Sequence, residues 1–144
     1  MLKLLDREND FSLKISKRTP QEKIENELTK IINLGNIECA YVFSEEGLLM
    51  AGIQGGSDFT NNQAAELIYS VYEALKLLEE SDNFNGSQEL LFVSQTRKKI
   101  SVRPFQAFGQ RLTLILVVPR SKTYRSHTNR LIRNIQKIGQ REIE

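Results

Sequence analysis

The side chains that could perform nucleophilic or metal chemistry are few and widely separated in this sequence. The chain has one cysteine, Cys39, and one histidine, His127. A zinc ion takes at least about three protein ligands, and no signature links these two residues as a nucleophile and its base. Cys39 also lies inside an apolar segment, which favours a buried, inert thiol. The sequence therefore predicts neither a metal site nor a catalytic cysteine.

Two other features have the outward form of functional motifs. Glu45 and Glu46 are adjacent on a tight turn, whereas general acid–base catalysis needs a sheltered carboxyl group with a shifted pKa. The segment Gln54-Gly-Gly-Ser57 is not a phosphate-binding loop, because no Gly-Lys-Ser or Gly-Lys-Thr follows it at the required spacing. We therefore expect a protein with no enzymatic activity and no cofactor.

Length and composition indicate one domain with one core. The chain has 144 residues, of which 40% are hydrophobic and 26% are charged, as in ordinary globular proteins. We identify no transmembrane segment, because no apolar run is long enough to span a bilayer, and no signal peptide. The expected location is the cytoplasm.

Charge is distributed unevenly along the chain. Residues 1–90 contain 8 Lys and Arg against 16 Asp and Glu, whereas residues 91–144 contain 12 Lys and Arg against 2 Glu. The first part is therefore acidic and the second basic. This asymmetry favours charge pairing within the fold or between subunits, and it also allows a charged surface to guide a partner.

Residues 1–18 are predicted to be an N-terminal extension, and residues 19–141 the domain. Within the extension, Phe11–Ser16 alternates apolar and polar residues with period two. Three interpretations of this segment remain open: an edge strand, a strand that pairs with another chain, or a flexible tail.

A helix and a β-hairpin open the predicted domain. The helix spans residues 20–34, with Thr19 as its cap. Strands follow near 38–44 and 48–53, and Gly47 in the acidic turn between them suits a positive φ. Apolar residues occupy both faces of the first strand, which predicts a strand covered on both sides.

A long helix is predicted over residues 60–81. Its apolar sector covers about half of the helix, whereas a stripe of about 100° is enough to cover a core. The surplus predicts contact with a second body as well as with the sheet. Glu66, Ser70 and Glu73 keep the remaining side polar, and Tyr69 and Leu77 lie on that side.

Three strands and a basic helix complete the domain. The last strand is almost purely apolar and should be central, and the first two flank a basic turn at Thr96–Lys99. Pro104 indicates a sheet edge or a strand end, and Ser121 is predicted to cap the last helix. The strands are predicted at 89–95, 100–105 and 112–118.

This order of elements resembles the Roadblock family, which includes dynein light chains of the Roadblock type and bacterial regulators of Ras-like GTPases. The matching residues are concentrated in Ala40-Tyr-Val-Phe-Ser-Glu-Glu-Gly-Leu-Leu-Met-Ala-Gly52, where the family has an apolar strand, an acidic turn with glycine, and a second strand ending in small residues. The three later strands also fall where such a protein has them. The resemblance covers about residues 20–140 and leaves the extension and the basic helix unexplained.

The resemblance implies an α/β protein, with a three-layer α/β/α fold of the Roadblock or profilin-like type and a five-stranded, mainly antiparallel sheet. The long helix would cover one face and the other two helices the opposite face. It also implies a homodimer about a twofold axis, and a role as a scaffold, an adaptor or a regulator of a small Ras-like GTPase. Some bacterial members stimulate GTP hydrolysis without donating a catalytic residue.

On this basis we expect two interaction surfaces. The dimer interface should use apolar residues of the long helix and the third strand: Ala64, Leu67, Ile68, Val71, Leu75, Leu91, Phe92 and Val93. The surface that docks a GTPase should use the polar side of the helix and the basic turn: Tyr69, Glu73, Leu77, Arg97, Lys98 and Lys99.

Two alternatives remain open from the residues alone. One is a profilin-like or sensor-type domain that binds a small molecule against the sheet. The other is a module that binds nucleic acid or an anionic membrane surface through the last helix. No aromatic residues interleave with its bases, so we expect no nucleic-acid partner, and a solvated face or an acidic partner is favoured. The bases are Lys122, Arg125, Arg133, Lys137 and Arg141.

Overall fold

The computed structural model describes residues 18–143, so the predicted strand at Phe11–Ser16 lies outside the described residues. Eight elements follow one another in the predicted order. They are α1 (Pro20–Asn33), β1 (Cys39–Phe43), β2 (Leu49–Ile53), α2 (Asn61–Glu79), β3 (Leu90–Val93), β4 (Lys99–Ala107), β5 (Gln110–Val118) and α3 (Arg125–Ile143).

The strands form one antiparallel sheet with the order β2-β1-β5-β4-β3. α1 and α3 pack on one face of the sheet and α2 packs on the other. Each face has its own buried apolar cluster, one with residues of α1 and α3 and the other with residues of α2. The predicted three-layer α/β/α fold with a five-stranded sheet is therefore confirmed. The predicted central position of the last strand is also confirmed, since β5 lies between β1 and β4.

The first strand shows why the sheet needs helices on both faces. All five residues of β1 are buried. Ala40 and Val42 belong to the cluster under α1 and α3, whereas Tyr41 and Phe43 belong to the cluster under α2. This is the alternation predicted from the sequence, and it follows from successive side chains pointing to opposite faces.

The predicted cap of α1 and the predicted turn conformation of the first hairpin are both present in the structure. The Thr19 hydroxyl accepts a hydrogen bond from the backbone N–H of Glu22 at 3.2 Å, and Pro20 occupies the first turn of α1. Gly47 has a φ of 85° in the turn between β1 and β2. Both positions were predicted from the conformations that their residue types favour.

The predicted cap of the last helix is wrong. Ser121 has a φ of 62° and lies in the turn after β5, four residues before α3 begins at Arg125. The intervening chain first places the Tyr124 side chain in the core, and the side-chain amide of Asn36 donates to the carbonyl of Thr123 at 2.7 Å. Tertiary contacts therefore determine where this helix begins.

Pro104 lies inside β4, so the predicted strand end is wrong. β3 pairs with β4 only as far as Val102. Beyond that point, the outer edge of β4 has no neighbouring strand within residues 18–143. Pro104 lies in this stretch, opposite Thr113 of β5, where a residue without a backbone N–H is tolerated. The predicted edge position is therefore correct locally.

α3 is fixed to the sheet at both ends. Near its start, the Glu89 carboxylate accepts hydrogen bonds from the Ser101 hydroxyl at 3.0 Å and from the Arg125 guanidinium at 3.2 Å. Near its end, Gly139 permits close contact with the β4–β5 hairpin, since a Cβ at this position would lie 2.9 Å from the backbone nitrogen of Phe108. A larger residue at 139 would push the helix away.

Three ion pairs join the acidic first part of the chain to the basic second part, so some of the charge asymmetry is satisfied within the fold. The pairs are Lys98–Glu38, Arg111–Glu79 and Arg125–Glu89, with nitrogen–oxygen distances of 3.0, 3.5 and 3.2 Å.

No helix within residues 18–143 has the length and apolar character needed to cross a bilayer.

Two leucines of α2 provide a matched test of the core under this helix. Leu75 is 4% exposed and Leu77 is 70% exposed. We expect Leu75→Ala to lower the free energy of unfolding by about 2–5 kcal/mol, because it removes buried contacts and leaves a cavity. Leu77→Ala should change it by no more than about 0.5 kcal/mol. Urea denaturation followed by circular dichroism measures both, and similar losses in the two variants would contradict this packing.

Candidate functional site

The helix α2 is held firmly against the sheet. Thr60 and Gln63 form a capping box at its start, with hydrogen bonds of 3.2 and 2.9 Å. The Tyr41 hydroxyl donates to the Phe59 carbonyl at 2.7 Å, and the Tyr72 hydroxyl donates to the Ser44 carbonyl at 3.0 Å. The side chains that α2 presents outward are therefore carried by a fixed element.

Half of the residues predicted for the dimer interface are buried inside the protomer. Four of the predicted residues are buried against the sheet in the apolar cluster under α2, and they have almost no surface to offer a second chain. The wide apolar sector of the helix had suggested that they meet a partner. The sheet covers more of the apolar sector than expected, because β1 and β5 also present apolar side chains on this face. The four buried residues of α2 are Ala64, Ile68, Val71 and Leu75.

The outer side of α2 carries the predicted docking residues in one row. Tyr69 is 71% exposed, and Leu77 is similarly exposed. Glu73 lies between them, also exposed. Spacings of four residues place the three side chains on one face of the helix. The structure therefore brings this part of the predicted site together.

A groove runs beside this row. Its volume is about 340 Å³, and it separates α2 from the β1–β2 turn and the start of β5. Arg111 of β5 reaches Glu79 of α2 at 3.5 Å and closes one end. The Tyr69 ring is therefore bordered on one side by a polar, partly charged surface and on the other sides by solvent. The groove is lined by Glu45, Tyr69, Tyr72, Glu73, Leu75, Lys76, Glu79 and Arg111.

The second surface is the free edge of the sheet at β3. Leu91, Phe92 and Val93 are all exposed, and β3 has no neighbour on its outer side within residues 18–143. An exposed apolar edge with unpaired backbone groups invites pairing with another strand. The three predicted interface residues of this strand are therefore available to a partner.

The edge continues into an open part of the sheet face. A groove of about 530 Å³ lies between Phe59, just before α2, and Phe92 and Ile100 of the last two strands in the sheet order. Apolar side chains from the segment before α2 and from the strand edge thus border the same uncovered area.

The three cations of the predicted basic turn, Arg97, Lys98 and Lys99, point in different directions in the structure. Arg97 has a φ of 71° and stands exposed at the tip. Lys98 lies towards the α2 side and pairs with Glu38, and this hydrogen-bonded partner raises the pKa of Lys98. Lys99 is on the opposite face of the sheet, 5.9 Å from the ring centroid of Tyr124. These three cations therefore do not form one docking cluster.

Sequence reasoning missed two residues of these surfaces, Phe59 and Arg111, and one exposed aromatic residue outside them, Phe84. Phe59 borders the larger groove, and its position before the cap Thr60 could have identified it as the apolar residue of a hydrophobic staple. Phe84, in the link after α2, is strongly exposed, but its turn-rich surroundings gave no signal. Arg111 directly precedes the predicted strand at 112–118, and only the tertiary structure places it beside α2.

The arrangement offers no catalytic constellation among residues 18–143. No group of three or more His, Cys, Asp and Glu side chains that could hold a metal ion occurs in this part of the chain. Cys39 is buried, and burial raises the pKa of its thiol to about 11, so the thiolate that nucleophilic chemistry requires is disfavoured.

Comparison with solved structures identifies the architecture. A structure of MglB from Myxococcus xanthus superposes with a TM-score of 0.69 at 13% identity, covering 85% of this chain and 92% of that chain. A Roadblock/LC7 domain from Streptomyces avermitilis superposes with a TM-score of 0.53 at 16% identity, covering 77% and 96%.

The chain has the Roadblock fold.

The gliding protein MglB from Thermus thermophilus supports the same assignment, with a TM-score of 0.68 at 15% identity over 86% of this chain and 93% of that chain. No protein-family model matches this sequence, and no curated protein matches it. The resemblance noted in the first hairpin is thus confirmed by the fold. Within the Roadblock fold, the surfaces described above are the outer side of α2 and the β3 edge.

Cys39 gives the fold a measurable pH dependence. Its thiol has a pKa of about 11 in the folded protein against 9.0 for a free thiol, so the folded state retains the proton to higher pH. This stabilisation is complete below the pKa of the unfolded state and is lost as pH rises through the folded pKa. Between about pH 8 and about pH 10, we expect the natural protein to lose about 1 kcal/mol more unfolding free energy than Cys39→Ala. Urea denaturation at the two pH values measures this difference, and equal losses would contradict the burial of the thiol.

Proposed function

We propose that this protein is a homodimeric, non-enzymatic regulator or adaptor that binds a small Ras-like GTPase in the cytoplasm. The observation that carries the proposal is the exposed row of Tyr69, Glu73 and Leu77 on α2 of a Roadblock fold. The Roadblock resemblance of the sequence implies this class of partner. The structure contributes a fixed helix whose outward side has apolar and acidic groups without a role in the core.

The dimer is proposed to form at the β3 edge. Pairing of two β3 strands about a twofold axis would satisfy the backbone groups on both edges, and a twofold contact is the commonest closed assembly. The open groove beside Phe59 and Phe92 would then receive apolar surface from the second copy.

The two proposed surfaces use different residues. The dimer contact uses the β3 edge and the groove beside Phe59 and Phe92, whereas the GTPase contact uses the outer row of α2 and the groove by Arg111. A GTPase can therefore bind while the dimer stays intact. Because the site lacks a catalytic constellation among the described residues, any stimulation of GTP hydrolysis would act by arranging the groups of the GTPase itself.

A pair of phenylalanines tests the dimer. We expect the natural protein to be a dimer in sedimentation equilibrium at micromolar concentration. Phe92→Glu should shift it to a monomer that keeps its circular dichroism spectrum, because it places a charge in an apolar contact. Phe84→Glu is the matched control, since Phe84 is 59% exposed and Phe92 is 44% exposed, and it should leave the dimer unchanged. A strict monomer for the natural protein would remove this part of the proposal.

Variants of α2 test GTPase docking. A pull-down against cytosolic GTPases, compared in their GDP and GTP-analogue states, would first identify the partner. Tyr69→Ala should then weaken binding by about 1–2 kcal/mol, or about five- to thirty-fold, because an interface tyrosine loses its ring contact. Tyr69→Phe should retain most of the affinity.

Glu73→Lys provides the charge test at the same site. It should weaken binding of the GTPase without changing the sedimentation of the dimer. Unchanged affinity for the identified GTPase in both Tyr69→Ala and Glu73→Lys would place the docking surface elsewhere. Isothermal titration calorimetry with the purified GTPase measures these affinities directly.

A further inference from the structure

The outward side of α3 carries a continuous row of positive charge. Arg130, Arg133, Lys137 and Arg141 are all exposed, and their spacings of three and four residues place them along one face of the helix. The row is about 17 Å long, from the rise per residue of an α-helix. It lies on the opposite face of the sheet from α2, away from the surfaces proposed above.

This row is not neutralised within the part of the chain that the structure describes. Two other cations of α3 and α1 have partners, since Arg125 pairs with Glu89 and Lys23 pairs with Glu142. None of the four cations of the row forms an ion pair with any residue in 18–143. Residues 1–17 carry four Lys and Arg and three Asp and Glu, so the net charge of that segment is not acidic.

A small cleft opens at one end of the row. It lies between α1 and α3, has a volume of about 200 Å³, and includes Lys30, His127, Arg130 and Asn134 in its lining. The Nδ1 atom of His127 is buried without a hydrogen-bond partner among the described residues. The His127 side chain lies in the lining together with the cations Lys30 and Arg130, and cationic donors together with an imidazole suit a phosphate group.

One carboxylate also borders the cleft, but it is already engaged. Glu27 Oε1 accepts from Lys30 Nζ at 3.2 Å, and its Oε2 accepts from Asn134 Nδ2 at 3.1 Å. Its charge is therefore offset by Lys30, and Arg130 remains as the unpaired charge of the cleft. The local field still favours an anion.

The rim of the cleft carries an exposed apolar side chain and further positive charge. Leu34, at the end of α1, lines the cleft and is 56% exposed. The hydrogen bond from Asn36 to Thr123 brings the exposed Lys122 turn close to this end of α1. An apolar tip surrounded by Lys and Arg suits the boundary between lipid headgroups and acyl chains.

A lipid surface fits these features better than nucleic acid does. No Phe, Tyr or Trp lies among the cations on the outward side of α3 to stack on nucleotide bases, and an exposed leucine gains nothing from a phosphodiester backbone. The apolar face of α3 is committed to the core through residues such as Leu131 and Ile135, so the helix cannot insert. The expected contact is therefore peripheral and electrostatic.

We propose that the outward face of α3, with the His127 cleft at one end, docks this protein on a membrane that contains anionic phospholipids. Arg130, Arg133, Lys137 and Arg141 contact the headgroup phosphates along the row. One headgroup phosphate enters the cleft, where it accepts hydrogen bonds from His127 and Arg130. Leu34 rests among the neighbouring headgroups. This inference stands independently of the GTPase proposal, because it uses the other face of the sheet.

Vesicle co-sedimentation with the full chain tests the docking. The natural protein should sediment with phosphatidylcholine vesicles that contain phosphatidylserine and stay in solution with vesicles of phosphatidylcholine alone. Each Lys or Arg close to an anionic surface contributes about five-fold to binding. The double variant Arg133→Gln, Lys137→Gln should therefore bind about twenty-five-fold more weakly, with an unchanged circular dichroism spectrum.

A charge-matched control separates the row from net charge. Lys76→Gln with Arg97→Gln makes the same change in net charge on exposed positions outside the α1–α3 layer, and it should bind these vesicles like the natural protein. Equal losses in the two double variants would overturn the proposal, and so would binding to neutral vesicles. Binding of duplex DNA or RNA through the row, with no vesicle binding, would also overturn it.

The single histidine gives a direct readout of the cleft. In a nuclear magnetic resonance spectrum, the ring signals of His127 should shift with a short-chain phosphatidylserine and not with the corresponding phosphatidylcholine. Inorganic phosphate should produce the shift only at much higher concentration, because it lacks the lipid contacts of Leu34 and the row. If inorganic phosphate acts as tightly as the lipid, or if the lipid leaves His127 unchanged, the cleft is not a headgroup site.

Discussion

The structure depends on the two-sided burial of its central strands. β1 and β5 are apolar on both faces, so a stable sheet requires a helical layer on each side. α1 and α3 share one face, whereas α2 alone covers the other. A single helix cannot cover five strands, and with the order β2-β1-β5-β4-β3 it covers the side of the sheet towards β2. The area near β3 is left open as a consequence.

This imbalance locates the first interaction surface. Where two helices cover a face, the core closes and even Thr128 and Gly139 are buried. On the α2 side, Phe59, Phe92 and Ile100 border an uncovered groove, and β3 ends the sheet with an unpaired edge. The proposed dimer completes the layer that one copy lacks. A sheet with two helices on each face would have no such need.

The charged side chains are also distributed differently on the two helical layers. Pairs such as Lys98–Glu38 and Arg111–Glu79 join the acidic and basic parts of the chain near the sheet and α2. On α3, Arg125 pairs with Glu89, whereas none of the four cations of the row forms an ion pair with an acidic residue that the structure describes. In the two proposals, the α2 layer presents Tyr69 and Glu73 to a protein partner, and the α3 layer presents a positive row to an anionic surface. A fixed sheet between them would allow both contacts at once.

The sequence by itself determined the elements and their faces. The period-two pattern of β1, the capping residue Thr19 and the purely apolar Leu112–Val118 segment each act over a few neighbouring residues, so they can be read without the fold. The same holds for the row Tyr69, Glu73 and Leu77, whose spacing fixes a common face on any helix. The resemblance to the Roadblock family rested on such local patterns, and the fold confirms it.

Only the tertiary structure decided how each face is used. Ala64, Ile68, Val71 and Leu75 were expected at a dimer interface, but the sheet covers them, because a helical periodicity cannot state how much apolar surface lies opposite it. Ser121 fails as a cap because the burial of Tyr124 and the Asn36 contact determine where α3 begins. The basic turn separates because neighbouring strand residues point to opposite faces. The His127 cleft exists only because α1 and α3, far apart in sequence, lie side by side.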